Sequence, residues 1–428
     1  MLVMFKNLKS GFQFLLSTWQ QVFSQTATPP TRRYDLDWLR VLAFGLLIFY
    51  HSGMLYSQNW GFHFKSQYLS QCVENAMLLL SPWRMALIWF ISGAALRFIV
   101  ARLSFSHFII SRSIQILLPL LVGVWLVVPV QLYAEMSQKS GLNLGFWRFY
   151  QAFFDLSHPI FANNQAGIWP HVDVNHLWYL RSLWQFTLLL VLILPLLHFS
   201  KVQALIARLC ELSPLIIFIV LLLPLCVLKL NWPSETFRYP MGALFLLYGY
   251  LLAWQSGFYS QLQRHWRALL VMFVLGYVLV VLGYHFIWQD PKASQWQTTS
   301  MDMLYTVQRL LGVMLMLALA QRFLNRDHPM LSKLNGAVFP FYILHQSMII
   351  GLAFWLTPLQ LGPLWEPVVI ISVTFMSCWL FYEIMRRRDI LCPLFGIKPR
   401  QEYSAKQRRV VSWIGLLLIS PLVVELLT

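Results

Sequence analysis

The twenty residues WLRVLAFGLLIFYHSGMLYS, at positions 38–57, indicate the environment in which this chain folds. They carry one formal charge, at Arg40, and an α-helix of about 20 residues spans the roughly 30 Å hydrocarbon core of a bilayer. The whole chain has the same character, because 58% of its 428 residues are hydrophobic and only 11% are charged. A soluble domain would carry about 25% charged residues. The sequence therefore predicts a membrane protein.

Further apolar runs of similar length follow this one along the chain. They lie at 80–100, 113–133, 176–197, 213–230, 239–254, 267–287, 304–321, 337–356, 366–384 and 411–428. The run at 239–254 is short and the run at 304–321 contains Arg309, so these two fit the pattern least well. Together the runs predict an all-α polytopic membrane protein with about eleven transmembrane helices.

The two ends of the chain differ from the part between them. In residues 1–30, apolar side chains from Phe5 to Phe23 recur at helical spacing, with Lys and Gln between them. This pattern is typical of an amphipathic helix that lies in the membrane interface. Residues 391–428 join a basic cytoplasmic loop to the last apolar run, which predicts one extra C-terminal transmembrane helix. We expect the main membrane domain to span residues 33–390.

The distribution of positive charge predicts how the helices are oriented. The formal net charge is +16, and 22 of the 32 Lys and Arg residues fall in the N-terminal segment and the loops on its side of the membrane. Six fall in the opposite loops and four within the predicted helices. Because cytoplasmic loops are enriched in Lys and Arg, we expect a multi-pass protein of the bacterial inner membrane with a cytoplasmic N-terminus. The excess charge is then topological, and it does not indicate nucleic-acid binding.

Arg40 and His51 are the first candidates for a functional pair, because ionisable groups inside a membrane are costly. Eleven residues at 100° each amount to three turns plus about 20°, which places both side chains on one helix face roughly 16 Å apart along the axis. Histidine has a pKa near neutral pH, so His51 could act as a general base. In the alternative interpretation, Arg40 reaches lipid phosphate and His51 is a packing residue.

Three arginines crowd the segment that follows the second predicted span. Arg97, Arg102 and Arg112 fall within sixteen positions of one another. With Arg40 nearby, their guanidinium groups could bind a phosphorylated donor from the cytoplasm. The alternative is that they are the ordinary positive charge of a cytoplasmic loop.

A second cluster of polar and aromatic residues marks the predicted outer end of the fourth span. It contains Asp173, His176, Trp178 and Arg181, which we interpret as candidates for the acceptor side. Trp178 is equally typical of the aromatic belt at a membrane boundary. His345 lies inside the ninth predicted span, where it could be structural or functional.

Two other features concern packing. The segment Phe90-Ile-Ser-Gly-Ala-Ala95 supplies small residues at which another helix can approach closely. Glu383 ends the tenth predicted span, and its spacing favours an ion pair with Arg387 at i, i+4.

Several kinds of chemistry lack a sequence signature. The five cysteines form no CxxC pair and show no zinc spacing, so we expect no metal site. The chain contains no GxSxG elbow, Walker loop or HExxH motif. We therefore expect no permanently bound cofactor.

The sequence resembles the acyltransferase-3 family of integral membrane acyltransferases over about residues 33–390. Four elements match. They are Arg40 and His51 separated by ten residues, Phe90-Ile-Ser-Gly93, the stretch from Arg112 to Pro119, and Tyr342-Ile-Leu-His345. The resemblance implies a ten-helix core and an O-acyltransferase that uses cytoplasmic acyl-CoA as co-substrate and an extracytoplasmic carbohydrate as acceptor. It also implies that His51 is the catalytic base and that Arg40, Arg97 and Arg112 bind the donor.

Within that family, the chain looks closest to the glucan biosynthesis protein C branch. The supporting stretches are Ser81-Pro-Trp-Arg-Met85 and His176-Leu-Trp-Tyr-Leu180. Leu183 and Trp184 occupy a region where another branch, which acylates O-antigen and peptidoglycan, carries a glutamate. The acyl group stays open among acetyl, succinyl and longer groups, and so does the identity of the acceptor.

Two other functions compete with acyl transfer. A proton-coupled transporter of a small solute could use His51, His345 and Arg309 as a relay. Such a transporter usually has a carboxylate in the middle of a helix, whereas nearly all acidic residues here fall in loops or at helix ends. The third possibility is an inactive relative with a scaffolding role.

Overall fold

The computed structural model describes residues 32–155, 157–161, 174–399, 404 and 409–417. Within these residues all regular structure is helical, as the sequence predicts for an all-α membrane protein. The predicted interfacial helix in residues 1–30 lies outside the described residues, and so does Asp173. Of the predicted C-terminal helix at 411–428, only residues up to 417 are described, and these are helical.

Between residues 34 and 385 the described chain forms fifteen α-helices, which we number in chain order. They are α1 (Tyr34–Tyr56), α2 (Gln71–Leu80), α3 (Arg84–Val100), α4 (Phe105–Leu126), α5 (Val128–Lys139), α6 (Phe146–Ala152), α7 (Trp178–Leu197), α8 (Ser200–Glu211), α9 (Pro214–Asn231), α10 (Arg238–Leu252), α11 (Ser256–Arg264), α12 (Trp266–Gly283), α13 (Gln295–Phe323), α14 (Leu331–Leu356) and α15 (Trp365–Met385). A π-helical turn, Tyr284–Trp288, extends α12.

Nine helical segments of the described chain are long and apolar enough to cross a membrane. They are Tyr34–Tyr56, Gln71–Val100, Phe105–Lys139, Asn175–Leu197, Pro214–Asn231, Trp266–Trp288, Gln295–Phe323, Leu331–Leu359 and Trp365–Met385. The predicted span at 239–254 forms α10, which has 15 residues. It is shorter than the roughly 17 residues that a spanning helix needs, so this segment is helical without meeting the length for a full crossing.

The eighth predicted span begins earlier than its apolar run suggests. α13 starts at Gln295 rather than near residue 304, because Ser294 and Gln297 form a capping box. The Ser294 hydroxyl accepts from the Gln297 backbone N–H at 3.4 Å, and the Gln297 side chain accepts from the Ser294 N–H at 2.8 Å. These bonds satisfy backbone donors that the helix itself leaves unpaired. A hydropathy pattern does not predict that such a polar first turn is helical.

The described chain forms two compact units that both include part of α1. The first unit contains the described residues up to 43, residues 78–109 and residues 185–331. The second unit contains residues 44–77, the described residues of 110–184, and those from 332 onward. Arg40 therefore belongs to the first unit and His51 to the second, although one uninterrupted helix carries both.

Close contact between α3 and α10 organises the first unit. A Cβ atom added to Gly93 would lie 1.8 Å from the Leu246 carbonyl oxygen, and one added to Gly249 would lie 1.9 Å from the Phe90 carbonyl oxygen. The two backbones thus approach so closely that only glycine fits, which is how small residues let helices pack in membranes. The prediction that the segment around Gly93 packs against another helix is confirmed, and its partner is α10.

The core of the second unit lies where α1 packs against α14. Ile48 and Leu55 from α1 are fully buried with Ile349, Ile350 and Ala353 from α14. Lys65 closes the end of α1, because its ammonium group donates to the Met54 carbonyl at 2.9 Å and to the Ser57 carbonyl at 2.6 Å. A positive charge at a helix C-terminus stabilises the carbonyl groups left without partners there.

We expect Gly93→Ala to destabilise the protein by about 2 kcal/mol or more, because the new methyl group must displace backbone rather than a flexible side chain. Thermal unfolding of the purified variant should show a clear loss of Tm or a failure to fold. Gly45→Ala is the matched control, since no atom lies within 4 Å of the added Cβ. A wild-type Tm for Gly93→Ala would contradict this account of the α3–α10 contact.

Candidate active site: a row of three histidines

Three histidines of the second unit come together in a row. The ring centroids of His51 on α1 and His345 on α14 are 5.2 Å apart. The centroids of His345 and His176, which lies just before α7, are 5.6 Å apart. Neighbouring members of the set in sequence order are 125 or more positions apart, and the fold brings them into contact.

His176 is held by hydrogen bonds to both of its ring nitrogens. Its Nε2 donates to the Ile343 carbonyl at 2.9 Å, and its Nδ1 accepts from the Gln131 side-chain amide at 2.9 Å. A carbonyl can only accept, so the proton lies on Nε2. The Tyr342 hydroxyl also donates to the His176 backbone carbonyl at 2.6 Å. Because the protein occupies both nitrogens, this geometry favours a positioning role over direct contact with an acceptor.

His345 is oriented by its own helix. Its Nδ1 donates to the Phe341 carbonyl at 3.0 Å and to the Tyr342 carbonyl at 2.8 Å. In the neutral imidazole the unprotonated nitrogen is then Nε2, which is basic and can accept a proton. The side chain is only 1% exposed. A buried imidazole with a defined tautomer therefore stands beside His51.

His51 also contacts aromatic groups from the segment that follows α1. The Phe62 ring stacks on it, with 6.1 Å between centroids and 22° between planes. The next residue, His63, places Nδ1 2.6 Å from a carboxylate oxygen of Glu135. Glu135 in turn pairs with Lys139 at 2.7 Å. The part-buried His51 ring is thus held between Phe62 and His345.

A network of amide and hydroxyl groups surrounds this row. Gln131 donates to Ser347 Oγ at 2.5 Å and accepts from Gln346 at 3.0 Å. Gln346 also donates to Asn175 at 3.3 Å, and Ser347 donates to the Val127 carbonyl at 2.7 Å. Sequence reasoning missed this network. The available signal is an amide, such as Gln131, at the end of a spanning apolar run.

The candidate donor-side arginines have different surroundings. Arg40 is half-buried on α1, eleven residues before His51 in the same helix. In the first unit, Arg97 Nη1 lies 2.6 Å from His198 Nε2 and 3.1 Å from the Tyr250 hydroxyl, with its guanidinium over the Trp254 ring. In the second unit, Arg112 donates to Gln115 at 3.1 Å.

Arg97 and His198 form a defined donor–acceptor pair. Burial, followed by the positive charge of Arg97, lowers the pKa of His198 to about 4. The imidazole is therefore neutral at pH 7, and Nε2 can accept a hydrogen bond from the guanidinium. This hydrogen bond occupies one donor group of the Arg97 guanidinium.

The remaining predicted site residues lie on α7 or beyond the described chain. Trp178 and Arg181 are half-buried in the first turn of α7. Asp173 lies outside the described residues.

The predicted ion pair between Glu383 and Arg387 is wrong. Glu383 pairs with Lys333 at 2.7 Å and accepts from Arg386 Nε at 2.7 Å. α15 ends at Met385, so residue 387 leaves the helical register that the i, i+4 rule assumes. Lys333 belongs to α14, and sequence spacing alone does not reveal such a partner.

Comparison with known protein families decides the class of this protein. The family model for the acyltransferase domain of the acyltransferase-3 family matches residues 33–383, which is most of the chain. The chain belongs to the acyltransferase-3 family. This acyltransferase matches no curated protein and no solved structure. The row of three histidines lies inside the matched region, as do Arg40, Arg97 and Arg112.

The pH dependence of stability should report on the Arg97–His198 pair. The pKa of His198 is about 4 in the folded state against 6.5 in a model peptide, so the unfolded chain binds more protons between these values. Stability should therefore fall as the pH drops from about 6.5 toward 4. We expect wild type to lose more Tm between pH 7 and pH 5 than His198→Gln does. Parallel pH profiles for the two proteins would contradict the assignment.

Proposed function

We propose that this acyltransferase moves an acyl group of acetyl or succinyl type from cytoplasmic acyl-CoA onto a hydroxyl of a periplasmic or cell-surface glycan. The observation that carries the proposal is the contact between His51 and His345 within the family's domain. It places two imidazoles together in the interior of a multi-pass membrane protein. The charge distribution of the loops supports an inner-membrane location with the N-terminus in the cytoplasm.

The proposed reaction is a direct transfer with His51 as general base. The acceptor hydroxyl loses its proton to His51 as its oxygen attacks the thioester carbonyl. The new C–O ester bond forms, the C–S bond breaks, and the CoA thiolate takes up a proton. General-base catalysis of this kind contributes about 10²–10⁴-fold to rate.

His345 and His176 would support His51 from one side. The ring of His345, oriented by the bond from its Nδ1 to the Tyr342 carbonyl, packs beside His51 and would hold the His51 ring in place. His176, fixed by Gln131 and the Ile343 carbonyl, would maintain the position of His345. Both are positioning residues in this proposal, and His51 alone contacts the reacting hydroxyl.

The arginines supply the donor side of the proposal. Arg40 lies on the face of α1 that also carries His51, displaced by about three turns toward the cytoplasmic end. Together with Arg97 and Arg112 it would bind the phosphates of the CoA moiety, which guanidinium groups recognise well. Trp178 and Arg181 would lie on the acceptor side with Asp173. The resemblance of the sequence to the glucan biosynthesis protein C branch would imply a glucan acceptor.

Family membership favours this enzyme over a transporter or an inactive scaffold. A transporter relay would require the same contact between His51 and His345. The contacts of Arg309, however, are with the Pro82 carbonyl and the rings of Phe237 and Tyr305. None of these three groups is suited to pass a proton at neutral pH.

The decisive experiment follows labelled acyl transfer in membrane vesicles. Inverted vesicles, which expose the cytoplasmic face, should transfer label from acetyl-CoA or succinyl-CoA to a luminal glycan, whereas intact right-side-out vesicles should not. We expect His51→Ala to reduce transfer at least about 100-fold at normal protein level. His107→Ala is the control, since that exposed histidine lies outside the row.

Each failure of the vesicle experiment has a distinct meaning. Full transfer by His51→Ala would remove His51 as the base while leaving the reaction in place. Transfer by right-side-out vesicles supplied with external acyl-CoA would reverse the proposed orientation. Absence of transfer in wild type, together with solute uptake driven by a proton gradient, would replace the enzyme by the transporter.

The supporting network should affect the rate more than binding. Gln131→Leu removes the hydrogen bonds to His176, Ser347 and Gln346, and the loss of buried bonds worth about 1 kcal/mol each corresponds to at least about a tenfold fall in rate. We expect kcat to fall by about that factor with KM for acyl-CoA nearly unchanged. Gln151→Leu, which changes an exposed glutamine of α6, is the control. Equal activity of Gln131→Leu and Gln151→Leu would show that the network does not position the histidines.

A further inference from the structure

One membrane span is interrupted at residues 81–83, which belong to the first unit. Segment Gln71–Val100 consists of α2 and α3, separated by Ser81, Pro82 and Trp83. Pro82 lacks a backbone N–H and disfavours helical geometry in the residue before it, which explains the break. α3 begins at Arg84 with no side-chain cap on its first turn. The N–H groups of that turn therefore have no side-chain acceptor at the cap position.

Three residues on one face of α13 each contact one residue of this break. Tyr305, Arg309 and Gly312 are spaced four and three positions apart, which places them on one helix face. The Tyr305 hydroxyl donates to Ser81 Oγ at 2.8 Å, and Arg309 Nε donates to the Pro82 carbonyl at 3.1 Å. A Cβ on Gly312 would lie 2.4 Å from the Trp83 ring, so glycine is needed there. These contacts hold the Arg309 side chain against the break.

The guanidinium of Arg309 is buried, and no described carboxylate forms a salt bridge with it, although the charge of Asp302 attracts it from a distance. The residue is 9% exposed, and its guanidinium lies 5.2 Å from the centroid of Phe237 and 5.3 Å from that of Tyr305. Within the described ranges, Nη1 has no hydrogen-bond partner and no carboxylate pairs with Arg309. Asp302, two turns earlier on α13, is already paired with Lys229 at 2.9 Å.

A second buried guanidinium lies at the same break between α2 and α3. Arg84 is also 9% exposed and stands at the first position of α3, two residues after the carbonyl that Arg309 binds. Arg84 therefore lies beside the same helix N-terminus that Arg309 contacts. In a membrane, a buried guanidinium with an unused donor, such as Arg309 at Nη1, is stabilised by an anion.

We propose that this break is a binding site for an oxyanion, either a carboxylate or a phosphate group. We call it the helix-break site and define it by Ser81–Arg84, Tyr305 and Arg309. Guanidinium groups bind carboxylate and phosphate through paired N–H donors, and the backbone N–H groups of a helix N-terminus add further donors. Arg309 Nη1 would donate to the ligand while Nε keeps its bond to Pro82. The site has no part in the reaction proposed above for the row of three histidines.

The oxyanion can come from a soluble molecule or from a lipid. A soluble carboxylate or inorganic phosphate would reach the site as a small anion. An anionic phospholipid would present its phosphate from the bilayer. The chemistry recognised is the same in both cases, so the experiment has one arm for each source.

The test is anion-dependent thermal stability of the full-length protein in nanodiscs. In phosphatidylcholine discs, inorganic phosphate or succinate should raise Tm in a saturable way relative to chloride at equal ionic strength. In a parallel arm, discs with phosphatidylglycerol replace the soluble anions. We expect Arg309→Gln to weaken the response at least about tenfold in apparent Kd, whichever source is effective. Arg322→Gln, which removes an exposed arginine of the same helix, should respond as wild type does.

A second variant keeps the test informative where Arg309→Gln does not fold. Arg309→Lys retains the charge but loses the planar set of donors, so its apparent Kd should increase by a smaller factor. An anion response that is the same in wild type, Arg309→Lys and Arg309→Gln would overturn the proposal. So would the absence of any response in both arms, or an equal loss in Arg322→Gln, which would indicate a general effect of charge. The readout is binding, so it does not depend on acyl transfer.

Discussion

The carboxamide of Gln131 must satisfy its hydrogen bonds inside the protein, because hydrocarbon offers no partner. Its nitrogen donates to His176 Nδ1 and to Ser347 Oγ, and its oxygen accepts from Gln346. One side chain of α5 thereby joins α14 to the turn that precedes α7. This connection agrees with the His176 tautomer that the Ile343 carbonyl requires, and it fixes the imidazole whose centroid lies 5.6 Å from that of His345.

The same requirement shapes the first unit by different means. There the backbones of α3 and α10 approach at Gly93 and Gly249 until no side chain fits between them. Polar groups are satisfied locally, as when Arg97 donates to His198 and to the Tyr250 hydroxyl. Arg309 is less completely satisfied, since its Nε has a backbone partner while its Nη1 has none in the described chain. An incompletely satisfied buried cation of this kind indicates a ligand more directly than any cavity.

Much of the helical architecture follows from the sequence. Ten of the predicted spans correspond to helices within the described residues, because apolar runs of about 20 residues have few alternatives in a membrane. The ends of the helices were harder to place. α13 and α2 both begin with turns that contain polar residues. Hydropathy does not predict that such turns are helical, because their structure depends on capping and packing. The short helices α6, α8 and α11 were missed for the same reason.

The functional residues divide along a similar line. Hydropathy and spacing alone mark His51, His176 and His345 as ionisable groups at or inside predicted spans, and helical periodicity relates Arg40 to His51, since both depend only on local geometry. The row of three histidines, its supporting amides and the partner of Arg309 arise from contacts between helices far apart in sequence. Gln131 lies 45 residues from His176 and 215 from Gln346. Such contacts depend on which faces of the helices pack together, and a hydropathy pattern contains too little information about those faces to predict them.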